Sequence, residues 1–282
     1  MNDVLAVQPR SDRRIELKFL IDPELADRLR EWARDHLDID PHTERSGANR
    51  DSYRISTLYL DTAELDLFHR CGEVGISKHR VRRYGEGSEI WLETKRKRKV
   101  VVKKRRVAIR PADWQRVPRS PDGQESRVES WTASAPSSIS TTAVVMTDSA
   151  IAHSTESATN SELQTSPAPL PWPGDWFEAR VSSRRLAPAA MIHYRRFARI
   201  GTAEDDAFRL TIDHDLRGQL CDQWRLPEWS AAAAPLSTDR ELLELKFTRT
   251  MPSVFKDLLH HFPLVATGFS KYRTCMNHFL EL

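Results

Sequence analysis

Charged residues two apart recur along this chain, and they do so inside runs that otherwise read as strand. Glu16 and Lys18 stand in this relation, as do Arg80 and Arg82, Glu93 and Lys95, and Glu244 and Lys246. Lys104 with Arg106, and Arg209 with Asp213 across Thr211, keep the same parity. Residues i and i+2 of a strand point to one face of a sheet. The charges therefore share one face, and the other carries Ile15, Leu17 and Phe19, or Ile90, Leu92 and Thr94, or Leu243, Leu245 and Phe247.

Two arrangements fit this alternation. In the first, the charged faces meet water over an ordinary core, as in most antiparallel sheets. In the second, the strands close into a barrel with a polar interior and helices outside. A water-facing strand usually mixes Ser, Thr, Gln and Asn, whereas these faces are almost wholly Arg, Lys and Glu, which favours the barrel. Gathered cations need counter-ions, and a chain of phosphates supplies them. The interleaved acids Glu16, Glu93 and Glu244, with Asp213 as a further candidate, could ligate a hard cation such as Mg²⁺ or Mn²⁺. Alternatively, each could do no more than neutralise its Lys or Arg neighbours.

The elements that must position these residues can be read in order. RRIELKFLI is a strand, and Asp22-Pro23 opens a helix through ELADRLREWARDHL. YRISTLYLDT is a second strand, followed by a short helix around AELDLFHRC. ISKHRVRRY, SEIWLETKRK and VVVKKRRVAI are three more strands, the first two joined by the tight YGEGS. A short helix starts at Pro111. In the C-terminal half AAMIHYRRFARI, AFRLTIDHDL and RELLELKFTR are strands and PSVFKDLLHHF is a helix. Eight or so strands with few helices predict an α+β fold, an eight-stranded antiparallel β-barrel with helices packed outside.

Between these halves lies a different composition. Of the 58 residues from Pro118 to Asp175, 26 are Ser, Thr or Pro, and 7 are acidic against 2 basic. Such a stretch buries little apolar area and reads as a flexible insertion. The expected organisation is a flexible N-terminus over 1–12 and one domain over 13–282, interrupted by that insertion.

Bulk properties exclude several classes. The 282 residues are 39% hydrophobic and 29% charged, which suits a soluble domain. No apolar run approaches the roughly 20 residues of a membrane span. MNDVLAVQPRSDRR has no apolar core, so no secretory signal is expected, and the cytoplasm is the expected compartment. Cys71, Cys221 and Cys275 lie far apart, against a disulfide framework or structural zinc. Net charge is only +3, yet Lys78–Arg110 holds 14 Lys or Arg against 3 Glu. That block must be solvated or face something strongly anionic.

The ordered set IELK, LYLDT, HRVRRY, WLETK, KKRR, FRLTID, LELK and FSKY resembles the VTC domain of polyphosphate polymerases, within the triphosphate tunnel metalloenzymes. The resemblance spans about Arg13 to Leu280 without the insertion. It implies an eight-stranded tunnel that grips a triphosphate and a divalent metal, Mn²⁺ or Mg²⁺, and extends inorganic polyphosphate from ATP. By motif, Lys18, Arg80, Arg82, Lys95, Arg196, Arg209 and Lys271 correspond to the catalytic tunnel cations. Lys104, Arg106, Lys246 and Tyr272 would continue the substrate-binding lining, with the register of KKRR open by one position. Glu244 corresponds to the metal-binding glutamate, with Glu16 and Glu93 beside it. The hydrolase and cyclase branch opens with ExExK, but here Arg14 takes the first acidic position, which favours the polymerase branch.

Two other functions fit parts of the same pattern. A metal-dependent triphosphatase would use the same tunnel and release orthophosphate. A nucleic-acid-binding module would explain the basic block, but only Tyr84 and Trp91 are there to stack bases, and the interleaved glutamates would repel a continuous backbone. There is no GxxxxGK[ST] loop for a nucleotide. His260-His261 falls on a predicted helix and reads as structural.

Overall fold

The alternation of charge and hydrocarbon resolves into one antiparallel sheet. The computed structural model describes residues 14–43, 51–98, 101–117, 172–203, 206–236 and 239–280. The sheet runs in the order β1 (Arg14–Ile21), β10 (Glu241–Thr248), β8 (Asp206–Leu220), β7 (Ala187–Ala203), β3 (Ser52–Asp61), β4 (Ser77–Tyr84), β5 (Ile90–Arg98) and β6 (Val101–Ile109). Two short strands hang on this path, β2 (Asp38–Ile39) on β7 and β9 (Ala234–Pro235) on β8. Every pairing is antiparallel. The predicted insertion lies outside the described residues except at its end, where Trp172 is buried and a helix begins at Asp175.

Helices cover the apolar outer faces in two groups. Helix α1 (Pro23–His36) starts where Asp22 accepts from the Leu25 amide at 2.8 Å and Pro23 fixes the first φ. Its buried Ala26, Leu29 and Ala33 pack with Phe19, Leu243, Leu245 and Phe247. Helix α4 (Ser253–His261) adds Phe255 and Leu258 to that core. The second core lies behind β3, β4, β5 and β7, and takes in Leu67 and Phe68 of α2 (Asp66–His69), Trp114 of a 3₁₀ helix (Pro111–Arg116) and Phe177 and Val181 of α3 (Asp175–Ser183). It also includes Tyr272, Cys275 and Met276 of α5 (Lys271–Leu280). Gly218 lets α5 approach β8, since a Cβ there would lie 2.7 Å from the Cys275 Sγ.

The expected barrel differs in one respect. Strands β1 and β6, the two ends of the path, do not pair with each other. The free edge of β1 is already taken, because Phe19 bridges Ala266 and the Thr267 amide donates to the Lys18 carbonyl at 2.7 Å. Side chains span what the backbone leaves open. Lys95 Nζ of β5 donates to Glu16 Oε2 of β1 at 2.7 Å, and Lys78 Nζ donates to Ser270 Oγ at 3.0 Å. The helix α5 that follows reads as apolar at Tyr272, Cys275 and Met276, a helical spacing that strand alternation does not describe.

Candidate functional site

Cross-strand register decides which charges face one another. On β4 and β5 the partners are Lys78 with Lys95, Arg80 with Glu93, and Arg82 with Trp91. On β5 and β6 they are Glu93 with Arg106 and Lys95 with Lys104. Directly opposed residues share a face, so Lys104 and Arg106 look inward with Glu93, and Lys103 and Arg105 look outward. This wall presents Lys78, Arg80, Arg82, Lys95, Lys104 and Arg106 around a single carboxylate.

That carboxylate is surrounded by cations. Glu93 is fully buried and pairs with Arg80 at 2.8 Å, Lys104 at 2.9 Å and Arg82 at 3.7 Å. Burial works against its charge, but Arg80, Arg82 and Lys104 hold it far below the carboxylate range. Arg82 also donates to Thr57 Oγ1 at 3.1 Å, and Arg106 lies 4.5 Å over the Trp91 ring.

The opposite wall, β1, β10 and β8, balances its charges. Lys18 stands opposite Glu244, Glu16 opposite Lys246, and Lys246 opposite Arg209. Lys18 Nζ lies 3.1 Å from Glu244 and 3.5 Å from Glu16, so one ammonium sits between two carboxylates. Lys246 pairs with Glu244 from the other side. Burial and the neighbouring Glu244 would raise Glu16, but Lys246, Lys95 and Lys18 bring it down to about 2. Glu244 is held well below the carboxylate range by Lys246, Lys18, Lys271 and Arg196 against the effect of burial. Asp213 receives both arms of the Arg196 fork at 2.6 and 2.7 Å and Lys271 Nζ at 2.6 Å.

Several of these groups lose basicity together. Burial, with Arg196, brings Lys246 down to about 8 despite Glu244. Burial and then the cations Lys18, Arg80 and Lys95 bring Lys78 to about 8. Tyr59 also falls to about 8, because Arg80, Lys78, Arg82 and Lys271 outweigh the burial that opposes its ionisation.

Most of the residues singled out by spacing or motif therefore converge on one interior. Lys18, Arg80, Arg82, Lys95, Lys104, Arg106, Arg196, Arg209, Lys246 and Lys271 all stand there. Two depart from their expected places. Glu93 is not brought together with Glu16 and Glu244, and among the described residues no three His, Cys, Asp or Glu cluster closely enough to hold a metal. Tyr272 is fully buried, stacks on Tyr59 at 5.3 Å and donates to Asp61 Oδ2 at 2.6 Å. It anchors α5 and so holds its neighbour Lys271. Parity could have added Lys78, two before Arg80. Asp40, which holds Arg209 at 2.8 Å from the turn after β2, has no comparable signal.

The family model of the VTC domain matches residues 13–280. The chain belongs to the VTC domain family. No curated protein matches it in sequence. Among solved structures, this VTC domain is similar to a candidate adenylate cyclase from Bacillus halodurans at 12% identity, covering 91% of this chain and 93% of that one with a TM-score of 0.44. A candidate adenylyl cyclase from Hippeastrum, described as having a dominant triphosphatase activity, matches at 15% identity over 94% and 96% of the two chains, with a TM-score of 0.43. The PH1819 protein from Pyrococcus horikoshii matches at 8% identity over 94% and 99%, with a TM-score of 0.40. Among the described residues of this VTC domain no helix is long and apolar enough to cross a membrane.

Proposed function

We propose that this VTC domain is a polyphosphate polymerase, transferring the γ-phosphate of ATP to a growing inorganic polyphosphate chain, with residues 13–282 working as one unit. The observation that supports it most is the asymmetry of the interior, six cations around one buried glutamate facing a wall of balanced charge. A polyanion would spread over Lys78, Arg80, Arg82, Lys95, Lys104 and Arg106, which grip phosphate oxygens and in the arginines do so with paired donors.

The reacting γ-phosphoryl group would lie between the walls. An oxygen of the acceptor phosphate attacks phosphorus, the bond to the β-phosphate oxygen breaks, and ADP leaves. Arg196, Arg209 and Lys271 would neutralise charge building on the equatorial oxygens, so positioning and electrostatics carry the rate.

A divalent cation fits Glu16 and Glu244. Mg²⁺ at such sites takes one or two carboxylates plus substrate phosphates and waters, and Lys18 already places a positive charge between these two. Bound there, Mn²⁺ or Mg²⁺ would supply charge neutralisation for the phosphates. Glu93 would instead orient Arg80, Arg82 and Lys104.

A second reading, a metal-dependent triphosphatase, would use the same cations with Glu16 and Glu244, and water in place of the acceptor phosphate. The experiment separates the two. Purified protein is incubated with ATP and Mn²⁺ and the products are run on a gel stained for polyphosphate, beside Glu244→Ala. Long chains from wild type and none from the variant support the polymerase. Orthophosphate without chains replaces it with the triphosphatase, and no turnover overturns both.

A further inference from the structure

Behind the basic wall, on the outer face of the same strands, lies a second group of cations that the interior does not use. Arg96 and Arg105 look outward from β5 and β6, and α3 brings Trp176 and Arg180 to them, with Arg184 just past its end. The guanidinium of Arg105 sits 4.4 Å from the Trp176 ring centre and that of Arg180 sits 5.8 Å from it. Burial first, and then the charges of Arg184, Arg105 and Arg96, depress the basicity of Arg180.

Counter-charge is scarce here. The ion pair made by this group among the described residues joins Arg184 to Glu73 at 3.2 Å, and Glu73 is largely exposed. His79 brings no positive charge of its own. Burial, Arg184 and Arg180 push it down to about 4, and Arg184 Nη1 lies 3.4 Å from its Nε2.

Two buried polar atoms beside these arginines have no hydrogen-bond partner, Arg96 Nε and Thr94 Oγ1. Thr94 is only 3% exposed and pairs across the sheet with both His79 and Arg105. An N–H and an O–H left unmade in a buried place each carry a desolvation cost. Both would be relieved by an acceptor that also neutralised the guanidinium groups around it.

We propose that this outer face of β5 and β6 under α3 is a second anion site, which binds a phosphate oxyanion through Arg96, Arg105, Arg180 and Thr94, separately from the barrel interior. The acceptor is either free orthophosphate or the end of a phosphate chain, since both present the same tetrahedral oxygens. The site stands back to back with the interior, because Thr94 and Arg96 alternate along β5 with Glu93 and Lys95. It rests on none of the interior assignments, and a protein without catalytic activity would still show it.

Titration calorimetry with inorganic tripolyphosphate tests it, comparing wild type with R105A/R180A and with T94V. The expected wild-type isotherm has two binding events. R105A/R180A is expected to keep one and weaken the other by at least about tenfold, as the loss of charged hydrogen bonds implies. The interior variant R80A/K104A should weaken the complementary event. T94V removes only the hydroxyl, and it reports on the site should the arginine pair prove to be needed for folding. Orthophosphate displacing the outer event identifies the free ion as sufficient, and displacement by chains alone identifies the chain end. A single event in wild type, or two unchanged events in both R105A/R180A and T94V, overturns the proposal.

Discussion

The two walls of the interior are built from the same residue types in opposite proportions. Inward-facing β4, β5 and β6 carry six cations and one carboxylate among the described side chains, and β1, β10 and β8 carry three of each. A balanced wall can satisfy itself and hold a fixed geometry. The cationic wall cannot, because Glu93 can offset only part of the charge around it. Division of labour follows, in which the balanced wall offers carboxylates and the cationic wall waits for an anion. The strongest test of this difference removes one carboxylate from each wall. Glu244→Gln should lower metal-dependent turnover on the order of 100-fold, since a ligand is lost where charge must be neutralised. The steady-state rate against Mn²⁺ concentration checks it.

Glu93→Gln should act on a different quantity. Glu93 is 0% exposed while its partners Arg80 and Arg82 are 12% and 7% exposed, and removing one partner of a buried ionic group costs about 3–5 kcal/mol. Lys104 is 35% exposed and solvent softens its share, so a loss near 3 kcal/mol is expected in urea unfolding. Saturating tripolyphosphate should restore much of it, because the ligand supplies the missing charge. If Glu93→Gln instead abolishes the Mn²⁺ response as Glu244→Gln does, the two walls are not distinct and Glu93 is a ligand after all.

Strand content and the two faces were legible in the sequence because period-two alternation is a local signal. Leu243, Leu245 and Phe247 lie in the core, and Glu244 and Lys246 lie on the opposite face, as spacing alone requires. What spacing could not settle was depth and partnership. Parity puts Glu93 on the right face, yet only the register Arg80–Glu93–Arg106 reveals that it is enclosed by cations. The same register places Lys104 and Arg106 inward, which a four-residue run of charges conceals. Asp40 reaches Arg209 from more than half the chain away, and no pattern within a window of residues encodes that. Helix α5 did carry a signal, since Tyr272, Cys275 and Met276 follow helical spacing, but that signal is short.

A smaller effect separates the walls by pH. Lys78 and Lys246, one from each wall, both stand at about 8. As pH rises through 8 they lose charge, so tripolyphosphate affinity should fall several-fold between about pH 7 and 9. A bound anion favours the charged forms, so binding above pH 8 should draw protons from the buffer. Calorimetry at pH 8.5 in buffers of different ionisation enthalpy measures that uptake. Lys78→Met should reduce it, and an unchanged uptake would show that the cationic wall does not titrate there. Acid acts elsewhere. Glu16 is depressed to about 2, so its contribution to stability is present above its ordinary value of 4.5 and is lost as pH falls toward 2.

The smallest expected effect concerns Tyr272, whose ring is in the core rather than in the interior. Tyr272→Phe removes the donor to Asp61 Oδ2, but the Phe68 amide still reaches that oxygen at 3.1 Å, and the Thr62 and Leu67 amides hold Oδ1 at 2.8 Å. Asp61 therefore stays satisfied, and the cost should be near 1 kcal/mol, the net value of one hydrogen bond. Stacking on Tyr59 is kept, so α5 should still deliver Lys271 to Asp213. Thermal unfolding should move by a few degrees with turnover within about twofold of wild type. A loss of turnover comparable to that of Lys271→Ala, without a comparable loss of stability, would return Tyr272 to the substrate-binding set that its motif assigns.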